Sequence, residues 1–480
     1  MEESSGLLVK VLSELGLVSL HHSRPDVKLL CLQRFVRLFA YGASTLVLVL
    51  YLQALGISKT RIGLFMTLTL VGDVCISFCL TLVADGLGRK AILALGALLM
   101  TGSGIAFAIC ENYWVLLAAA IFGVISPSGN EIGPFRAIEE SVVAHLTEPT
   151  SRSDVYAWYS LLGTAGTAFG LMTGGWVVEY VSTDLGWQLI DAYRLIFFGY
   201  AALGLVKLSL ALLLSNAVEA DDRATQRAIK STGEASNTET SPLLGNGPHD
   251  NPHANKGQQK SHSRVASLLP NISQEGYAIM TSLCVFFALD AFASGLASMS
   301  WVTYFFRWRY SIAEGRLGSI FFVTSITSAL SMLVASSLAK RFGNIKTMVF
   351  THLPSSIFLS LIPVFPDVRL ALLFLWLRAS SQSMDVAPRA AFLAAVIKPS
   401  ERTAIMGVIN VVKTVGASLG PFLTGTLADH GLFWVAFVTA GCLKASYDLG
   451  MLAVFQNHER HAAEREIERR IAEENAAAPA

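Results

Sequence analysis

The chain has 480 residues, of which 53% are hydrophobic and only 15% are charged, and its mean hydropathy is +0.52. Soluble domains carry about 25% charged residues, so this composition excludes an ordinary soluble protein and predicts a polytopic membrane protein. A formal net charge of +1 gives no electrostatic basis for binding nucleic acid. All six cysteines fall within or beside apolar segments, which predicts neither a disulfide framework nor a metal site.

Twelve apolar stretches are long enough to cross a bilayer, whose hydrocarbon core is spanned by about 20 helical residues. Each is predicted to be a helix, because backbone groups in lipid must be hydrogen-bonded within their own segment. The fold class is therefore all-α and polytopic, with transmembrane helices near residues 33–55, 62–84, 91–110, 113–138, 155–181, 190–215, 277–303, 316–339, 346–365, 369–396, 403–427 and 431–455.

Residues 217–272 interrupt this pattern with a stretch rich in Asn, Ser, Gly, Pro and charge, and poor in aromatic residues. Such a composition cannot bury a core and predicts disorder. The predicted organisation is an N-terminal segment, two six-helix bundles joined by a disordered linker, and a charged helical tail, with bounds 1–32, 33–216, 217–272, 273–456 and 457–480.

Basic residues between the spans predict the orientation of the chain. Most of them fall on the side that also holds both termini and the linker, as Arg89, Lys90, Arg152 and Lys346 illustrate. Because Lys and Arg are enriched in cytoplasmic loops, this side is predicted to be cytosolic.

The two bundles share residues at nearly constant spacing. An offset of 255 residues relates Arg61 and Gly63 to Arg316 and Gly318, an offset of 254 relates Glu131 and Pro134 to Asp385 and Pro388, and an offset of 250 relates Arg152, Gly166, Gly170 and Gly175 to Arg402, Gly416, Gly420 and Gly425. A constant offset across both halves indicates duplication of a six-helix unit.

The segment from Thr81 to Lys90 resembles the signature loop of the major facilitator superfamily. Asp85, Gly88, Arg89 and Lys90 stand at the family's acidic, glycine and basic positions, and a degenerate copy occupies residues 336–346. The resemblance covers the chain outside the tails and the linker. It implies twelve transmembrane helices in two pseudo-symmetric bundles around a central substrate site.

The fifth span also resembles a family feature, the glycine-rich stretch of the drug/proton antiporter branch, although it lacks the proline of that motif. Its glycines are Gly166, Gly170, Gly174 and Gly175. Small residues at this spacing predict a face on which helices pack closely and slide.

The resemblance further implies a cytosolic gate formed by Asp85, Gly88, Arg89 and Lys90, with Asp85 facing the start of the eleventh span. A carboxylate at a helix N-terminus is favoured by about 0.3–1 kcal/mol, so such a contact would hold the two halves together. The alternative is an ordinary basic loop that sets topology.

Charged residues inside the spans are the candidates for chemistry, since a charge in hydrocarbon costs at least a few kcal/mol and usually faces a cavity or a partner. The predicted substrate and proton pathway comprises Asn130, Glu131, Asp385, Asp73, Asp290, Arg37 and Arg389. Glu131 is the first choice for the proton carrier, because Asp385 has Arg389 one turn away. The alternatives are structural ion pairs, hydrogen-bonded acids and, for Arg37, an extension to the membrane interface.

In the linker, Glu239, Leu243 and Leu244 resemble a dileucine sorting signal. This resemblance implies a sorting adaptor as a partner and a vacuolar or endolysosomal membrane, with the plasma membrane as the alternative location.

These features predict a monomeric secondary active transporter, not an enzyme and without a cofactor, that moves a small molecule by alternating access. No nucleotide-binding loop is present in the sequence, so a proton gradient is the predicted driving force and H⁺ the second transported species. The alternatives are a facilitator without ion coupling and a membrane receptor on the same fold that transports nothing.

Overall fold

The computed structural model describes residues 17–123, 125, 134–148, 151–219, 274–398 and 401–477. For residues 77–87, 134–137 and 457–477, and for positions 153, 275, 333, 336, 340 and 403, only the backbone is described. Asn130, Glu131 and the linker residues Glu239, Leu243 and Leu244 therefore lie outside the described residues.

The described part of the chain is helical, without β-strands. The helices of the first half are α1 (Leu17–His22), α2 (Pro25–Ala54), α3 (Lys59–Leu87), α4 (Arg89–Ile109), α5 (Tyr113–Gly123), α6 (Pro134–Leu146), α7 (Arg152–Thr183) and α8 (Leu189–Leu212). Those of the second half are α9 (Gln274–Leu296), α10 (Met299–Tyr310), α11 (Glu314–Phe342), α12 (Asn344–Leu361), α13 (Val368–Gln382), α14 (Val386–Val396), α15 (Arg402–Asp429) and α16 (Phe433–Ala477).

These helices confirm the predicted all-α fold with twelve spans. Seven stretches of the described chain are long and apolar enough to cross a membrane by length and composition, namely α2, α4, α7, α8, α9 with α10, α11 and α15. The remaining five spans are α3, α12, α16 and the two pairs α5 with α6 and α13 with α14.

Three spans predicted as single helices are instead broken. In the fourth span α5 ends at Gly123, residue 125 is not helical, and α6 is described from Pro134 onward. The seventh is interrupted at residues 297–298, where Ser298 has an extended backbone, and the tenth at residues 383–385, shortly before Pro388. Proline lacks a backbone N–H and disfavours helix in the turn before it, which explains the break ahead of Pro388.

Helix packing follows the predicted duplication. Within the first half α2 packs on α7 and α4 packs on α8, and within the second half α9 packs on α15 and α12 packs on α16. The halves meet where α3 contacts α15, where α7 contacts α11 and where α2 contacts α10. Each inner contact of one half therefore has a counterpart in the other.

One end of the molecule, called here the motif end, carries the loop between α3 and α4 and its copy between α11 and α12. Gly88 and Gly343 occupy these two turns with φ values of 96° and 85°. Only glycine adopts such a backbone without strain, so both copies of the signature loop need glycine at this position. The opposite end, called the far end, carries the loops at residues 55–58, 184–188, 311–313 and 430–432.

Candidate functional site

A cluster of buried charges lies inside the first half. The carboxylate of Glu139 on α6 is fully buried and lies 2.8 Å from Nη2 of Arg37 on α2 and 3.4 Å from Nζ of Lys207 on α8. The hydroxyl of Tyr159 on α7 donates a hydrogen bond to the same carboxylate at 2.6 Å. The guanidinium of Arg34 lies 4.2 Å from the centre of the Tyr159 ring. This group, the first-half cluster, joins four helices through one carboxylate.

A second cluster lies inside the other half. Nζ of Lys444 on α16 donates to Asp290 on α9 at 2.6 Å and to Ser294 at 2.8 Å. Nη1 of Arg389 on α14 lies 3.6 Å from Asp290 and 3.2 Å from Asp385. In this second-half cluster the two carboxylates are bound by two cations from different helices.

The two clusters occupy equivalent places in the two halves. Gly42 and Gly295 both approach a backbone carbonyl of the partner helix, that of Thr167 and that of Ala417 respectively, so α2 and α9 correspond at an offset of 253 residues. In this register Arg37 of the first half is equivalent to Asp290 of the second.

The broken fourth and tenth spans correspond in the same way. The guanidinium of Arg152 donates to the carbonyl of Ala144, and that of Arg402 donates to the carbonyl of Ala394, an offset of 250. Glu139 therefore corresponds to Arg389. We call Arg37 with Glu139, and Asp290 with Arg389, the central pairs of the two halves. The acid and the base have exchanged places between them. The same register pairs Asp385 with position 135, which differs from the offset of 254 that the sequence suggested for Glu131 and Asp385.

The two lysines are equivalent as well. Gly204, Lys207 and Ser209 on α8 recur as Gly441, Lys444 and Ser446 on α16, at an offset of 237. In both halves the lysine bonds to whichever residue of the central pair is the acid. Neither lysine was predicted from the sequence, because this offset differs from the offsets of 250 to 255 between the other repeated residues. The repeated Gly-x-x-Lys-x-Ser pattern could have revealed them.

The structure thus brings together some of the predicted pathway residues and separates others. Asp290, Asp385 and Arg389 form one cluster, and the predicted pairing of Asp385 with Arg389 within one turn is present. Arg37 points inward to Glu139 and does not extend to the interface. Glu139, which is not among the predicted pathway residues, is the centre of the first-half cluster.

Asp73 on α3 differs from the other buried acids. It is 2% exposed, and neither carboxylate oxygen has a hydrogen-bond partner among the described residues. The charge of Arg37 in the first-half cluster acts on it. A buried carboxylate without hydrogen-bond donors is costly to keep ionised, so Asp73 is suited to accept a proton. No group of three metal-ligating acids, histidines or cysteines occurs in the described part of the chain.

At the far end the two halves are joined through helix N-termini. Asp429, the last residue of α15, accepts hydrogen bonds from the backbone N–H groups of Lys59 and Thr60 at the start of α3, at 3.1 and 2.7 Å, and from the Thr60 hydroxyl at 2.6 Å. Glu179 near the end of α7 accepts from the N–H of Gly315 at the start of α11, at 2.9 Å. We call these two interactions the far-end caps.

The far-end caps are related by the same duplication. Asp429 corresponds to Glu179 at the offset of 250, and Thr60 corresponds to Gly315 at the offset of 255. A side chain at Gly425 would collide with the carbonyl of Lys59, and one at the equivalent Gly175 would collide with that of Glu314. The far end is therefore closed by two equivalent, tightly packed contacts between the halves.

At the motif end, the N-terminus of α4 is capped within the first half. The carboxylate of Glu219 accepts hydrogen bonds from the N–H groups of Arg89 and Lys90 at 2.9 and 3.3 Å, and Nζ of Lys90 donates to the carbonyl of Leu214 at 2.5 Å. Glu219 was not anticipated from the sequence. The side chain of Asp85 is not described, so its predicted contact with α15 stays a prediction.

Comparison with known proteins agrees with this architecture. The chain is 36% identical over 435 residues to YJR124C, an uncharacterized membrane protein of Saccharomyces cerevisiae, covering 90% of this chain and 94% of that protein. Its fold is similar to that of the nucleoside transporter NupG, with a TM-score of 0.63 at 15% identity, covering 90% and 99% of the two chains. It is also similar to a D-xylose-proton symporter, with a TM-score of 0.64 at 13% identity, covering 88% and 96%.

The family profile extends over both halves. The profile of the Major Facilitator Superfamily matches residues 30–310 and 278–476, which together contain both clusters and the far-end caps. On the evidence of two matched halves, a duplicated twelve-span fold and buried charges between its helices, the chain belongs to the Major Facilitator Superfamily and is a membrane transporter, not an enzyme.

Proposed function

We propose that this protein is a secondary active transporter that couples the movement of a small molecule to a proton, with Asp73 as the proton carrier. The observation that carries the proposal is the buried Asp73 carboxylate, which lacks hydrogen-bond partners among the described residues and on which the charge of Arg37 acts. The proton-coupled function of a structural neighbour, the D-xylose symporter, supports the class of mechanism.

The other acids are less suited to carry the proton. Asp290 is bound by Lys444 at 2.6 Å and by Arg389 at 3.6 Å, and Asp385 is bound by Arg389 at 3.2 Å. Their carboxylates are therefore already engaged by cations, whereas Asp73 has no hydrogen-bond partner among the described residues. Glu131 stays a candidate from the sequence alone.

Coupling requires that proton binding and substrate binding each bias the same conformational equilibrium. The far-end caps support a state in which the molecule is closed at the far end, and alternating access requires a second state in which these contacts open. A proton on Asp73 would leave the positive charge of Arg37 less compensated, and in this way it would act on the cluster that joins four helices of the first half.

Asp73→Asn tests the proton carrier, because asparagine keeps the size of the side chain but cannot titrate. A panel of sugars, nucleosides and organic acids is first screened for uptake into vesicles that contain the purified protein, with and without a pH gradient. With a transported compound, Asp73→Asn should lose gradient-driven accumulation by at least about tenfold, as is typical when an essential proton-transfer group is removed, and should keep exchange.

The matched control is Asp26→Asn. Asp26 is also a buried aspartate, but it accepts hydrogen bonds from Ser215 N–H at 2.8 Å and from the Ser215 hydroxyl at 2.6 Å, outside both clusters. It should accumulate substrate like the wild type. Accumulation by Asp73→Asn at the wild-type rate would exclude Asp73 and move the proposal to Glu131. Uptake that never responds to a pH gradient would favour the uncoupled facilitator, and no uptake of any compound would favour the receptor.

We further propose that the motif end faces the cytosol and that the protein resides in a vacuolar or endolysosomal membrane. The basic residues at the motif end support the orientation, and the segment with Glu239, Leu243 and Leu244 supports the location. Leu243→Ala combined with Leu244→Ala should move a fluorescently tagged protein to the cell surface without altering transport in purified vesicles. An unchanged distribution under the microscope would remove the sorting signal from the account.

A further inference from the structure

A buried histidine and aspartate lie together in the second half, outside the contacts that form the second-half cluster. Nδ1 of His352 on α12 lies 2.9 Å from both carboxylate oxygens of Asp448 on α16. Asp448 is fully buried and His352 is 5% exposed. The hydroxyl of Ser356, one turn after His352, lies 3.3 Å from the same carboxylate.

The first half shows what the fold requires at this place. The turns at Gly88 and Gly343 set an offset of 255 between α4 and α12, and the bonds from Thr101 to the carbonyl of Ala97 and from Ser356 to the carbonyl of His352 are equivalent. His352 therefore corresponds to Ala97. Asp448 corresponds to Ala211 at the offset of 237.

Both of these alanines are completely buried. At this place α4 packs on α8 through the methyl groups of the two alanines. At the equivalent place between α12 and α16 lie an imidazole and a carboxylate. Burying a polar pair costs free energy that an apolar pair avoids. Because the duplicated fold does not need the pair, its role lies in chemistry and not in packing.

The pair lies beside the second-half cluster. A protonated His352 would act electrostatically on Asp290, as Lys444 and Arg389 do. The charges of Asp290 and Lys444 also act on Asp448. Tyr447 on α16 packs edge-on at 6.1 Å from the imidazole. Two further cations lie on neighbouring helices, Arg378 on α13 and Lys413 on α15.

We propose that His352 and Asp448 form a proton-binding site in the second half, whose occupancy changes the charge balance around Asp290. When Nδ1–H donates its hydrogen bond to Asp448, the unprotonated Nε2 of the imidazole can accept a proton. The resulting cation is stabilised by the Asp448 carboxylate. Histidine is the side chain that gains and loses a proton between about pH 5 and 8. The imidazolium cation of His352 would then attract the Asp290 carboxylate in competition with Lys444 and Arg389.

The first experiment observes the proton directly and needs no transported compound. The full-length protein, labelled with [¹⁵N]histidine, is titrated in detergent from pH 5 to 8 by NMR, and the His352 ring signals are those absent from His352→Gln. They should move from the charged to the neutral ring positions within this range. Ring signals that stay in one form at every pH would overturn the proposal.

The second experiment tests the effect on conformation, in a cysteine-free Asp73→Asn background so that the proton carrier proposed above makes no contribution. Spin labels at Leu185 and Leu432, exposed far-end residues of the two halves, report the distance between the halves at pH 5.5 and 7.5. The distance distribution should change with pH, and this change should be lost when His352→Gln is added.

Two variants serve as controls. His430→Gln removes an exposed histidine whose ring bonds to the carbonyl of Thr426, one turn earlier on the same helix end, and should keep the full pH response. His352→Ala with Asp448→Ala copies the residues of the first half and should fold but lose the response. A response that survives in His352→Gln, or one that is absent before any histidine is changed, would overturn the coupling of this site to Asp290, whatever the outcome for Asp73.

Discussion

Asp429→Ala combined with Glu179→Ala is expected to shift the protein away from the state that is closed at the far end. Each carboxylate caps the first turn of a helix in the other half, and such caps contribute about 0.5–1 kcal/mol when partly exposed. Together they are expected to change the ratio of the two states roughly five- to thirty-fold. Asp429 accepts three of these hydrogen bonds and Glu179 one, so Asp429→Ala should produce the larger share of the free-energy change.

The distance between spin labels at Leu185 and Leu432 measures this shift. Asp367→Ala is the matched control, since Asp367 also caps a helix near the far end, α13, but does so within its own half by accepting from the N–H of Arg369 at 2.9 Å. It should leave the distance distribution unchanged. A double variant that keeps the wild-type distribution would show that the far-end caps do not hold the halves together.

The second large effect concerns the exchanged charges of the two clusters. Glu139→Gln should strongly destabilise the protein, because it leaves Arg37 and Lys207 buried without their carboxylate. Removal of one partner from a buried ion pair costs about 3–5 kcal/mol. We expect little folded Glu139→Gln in the membrane and a markedly lower thermal unfolding midpoint in detergent.

The duplication predicts how the loss can be repaired. Arg37→Asp combined with Glu139→Arg gives the first half the arrangement of the second, in which the aspartate introduced at position 37 would face Lys207 as Asp290 faces Lys444. The double variant should therefore unfold at a higher temperature than either single variant. Arg194→Ala is the control, because the partly exposed pair of Arg194 with Glu111 is expected to contribute less than about 1 kcal/mol. A double variant no more stable than its worse single variant would contradict the proposed correspondence.

The sequence predicted the fold well because spans of about 20 apolar residues and repeated glycines are local patterns. Gly88 and Gly343 are examples, since a turn with positive φ leaves its mark on a single position. The break before Pro388 was missed although residues 380–385 are largely polar, because the apolar segments on either side of them together have the length of a single span.

The site was predicted less completely, for a physical reason. A buried charge is visible in a sequence, but its partner is set by helix packing, and Lys207 lies 68 residues from Glu139 in the chain. Loops of different length between the spans change the offset from 255 to 237, which hid the equivalence of Lys207 and Lys444. Asp290 is bound by two cations, whereas Asp73 has no hydrogen-bond partner within the described part of the chain. This contrast could not be predicted from the sequence, where both are single acids in apolar helices.

The most direct test of alternating access measures the distance between the two halves at both ends of the molecule. In a cysteine-free background, one spin-label pair is placed at Leu185 and Leu432 at the far end and another at Glu148 and Lys346, exposed residues of the two halves at the motif end. Alternating access predicts reciprocal changes: conditions of pH or transported compound that lengthen the far-end distance shorten the motif-end distance. Distances that stay fixed at both ends, or that lengthen together, would contradict it.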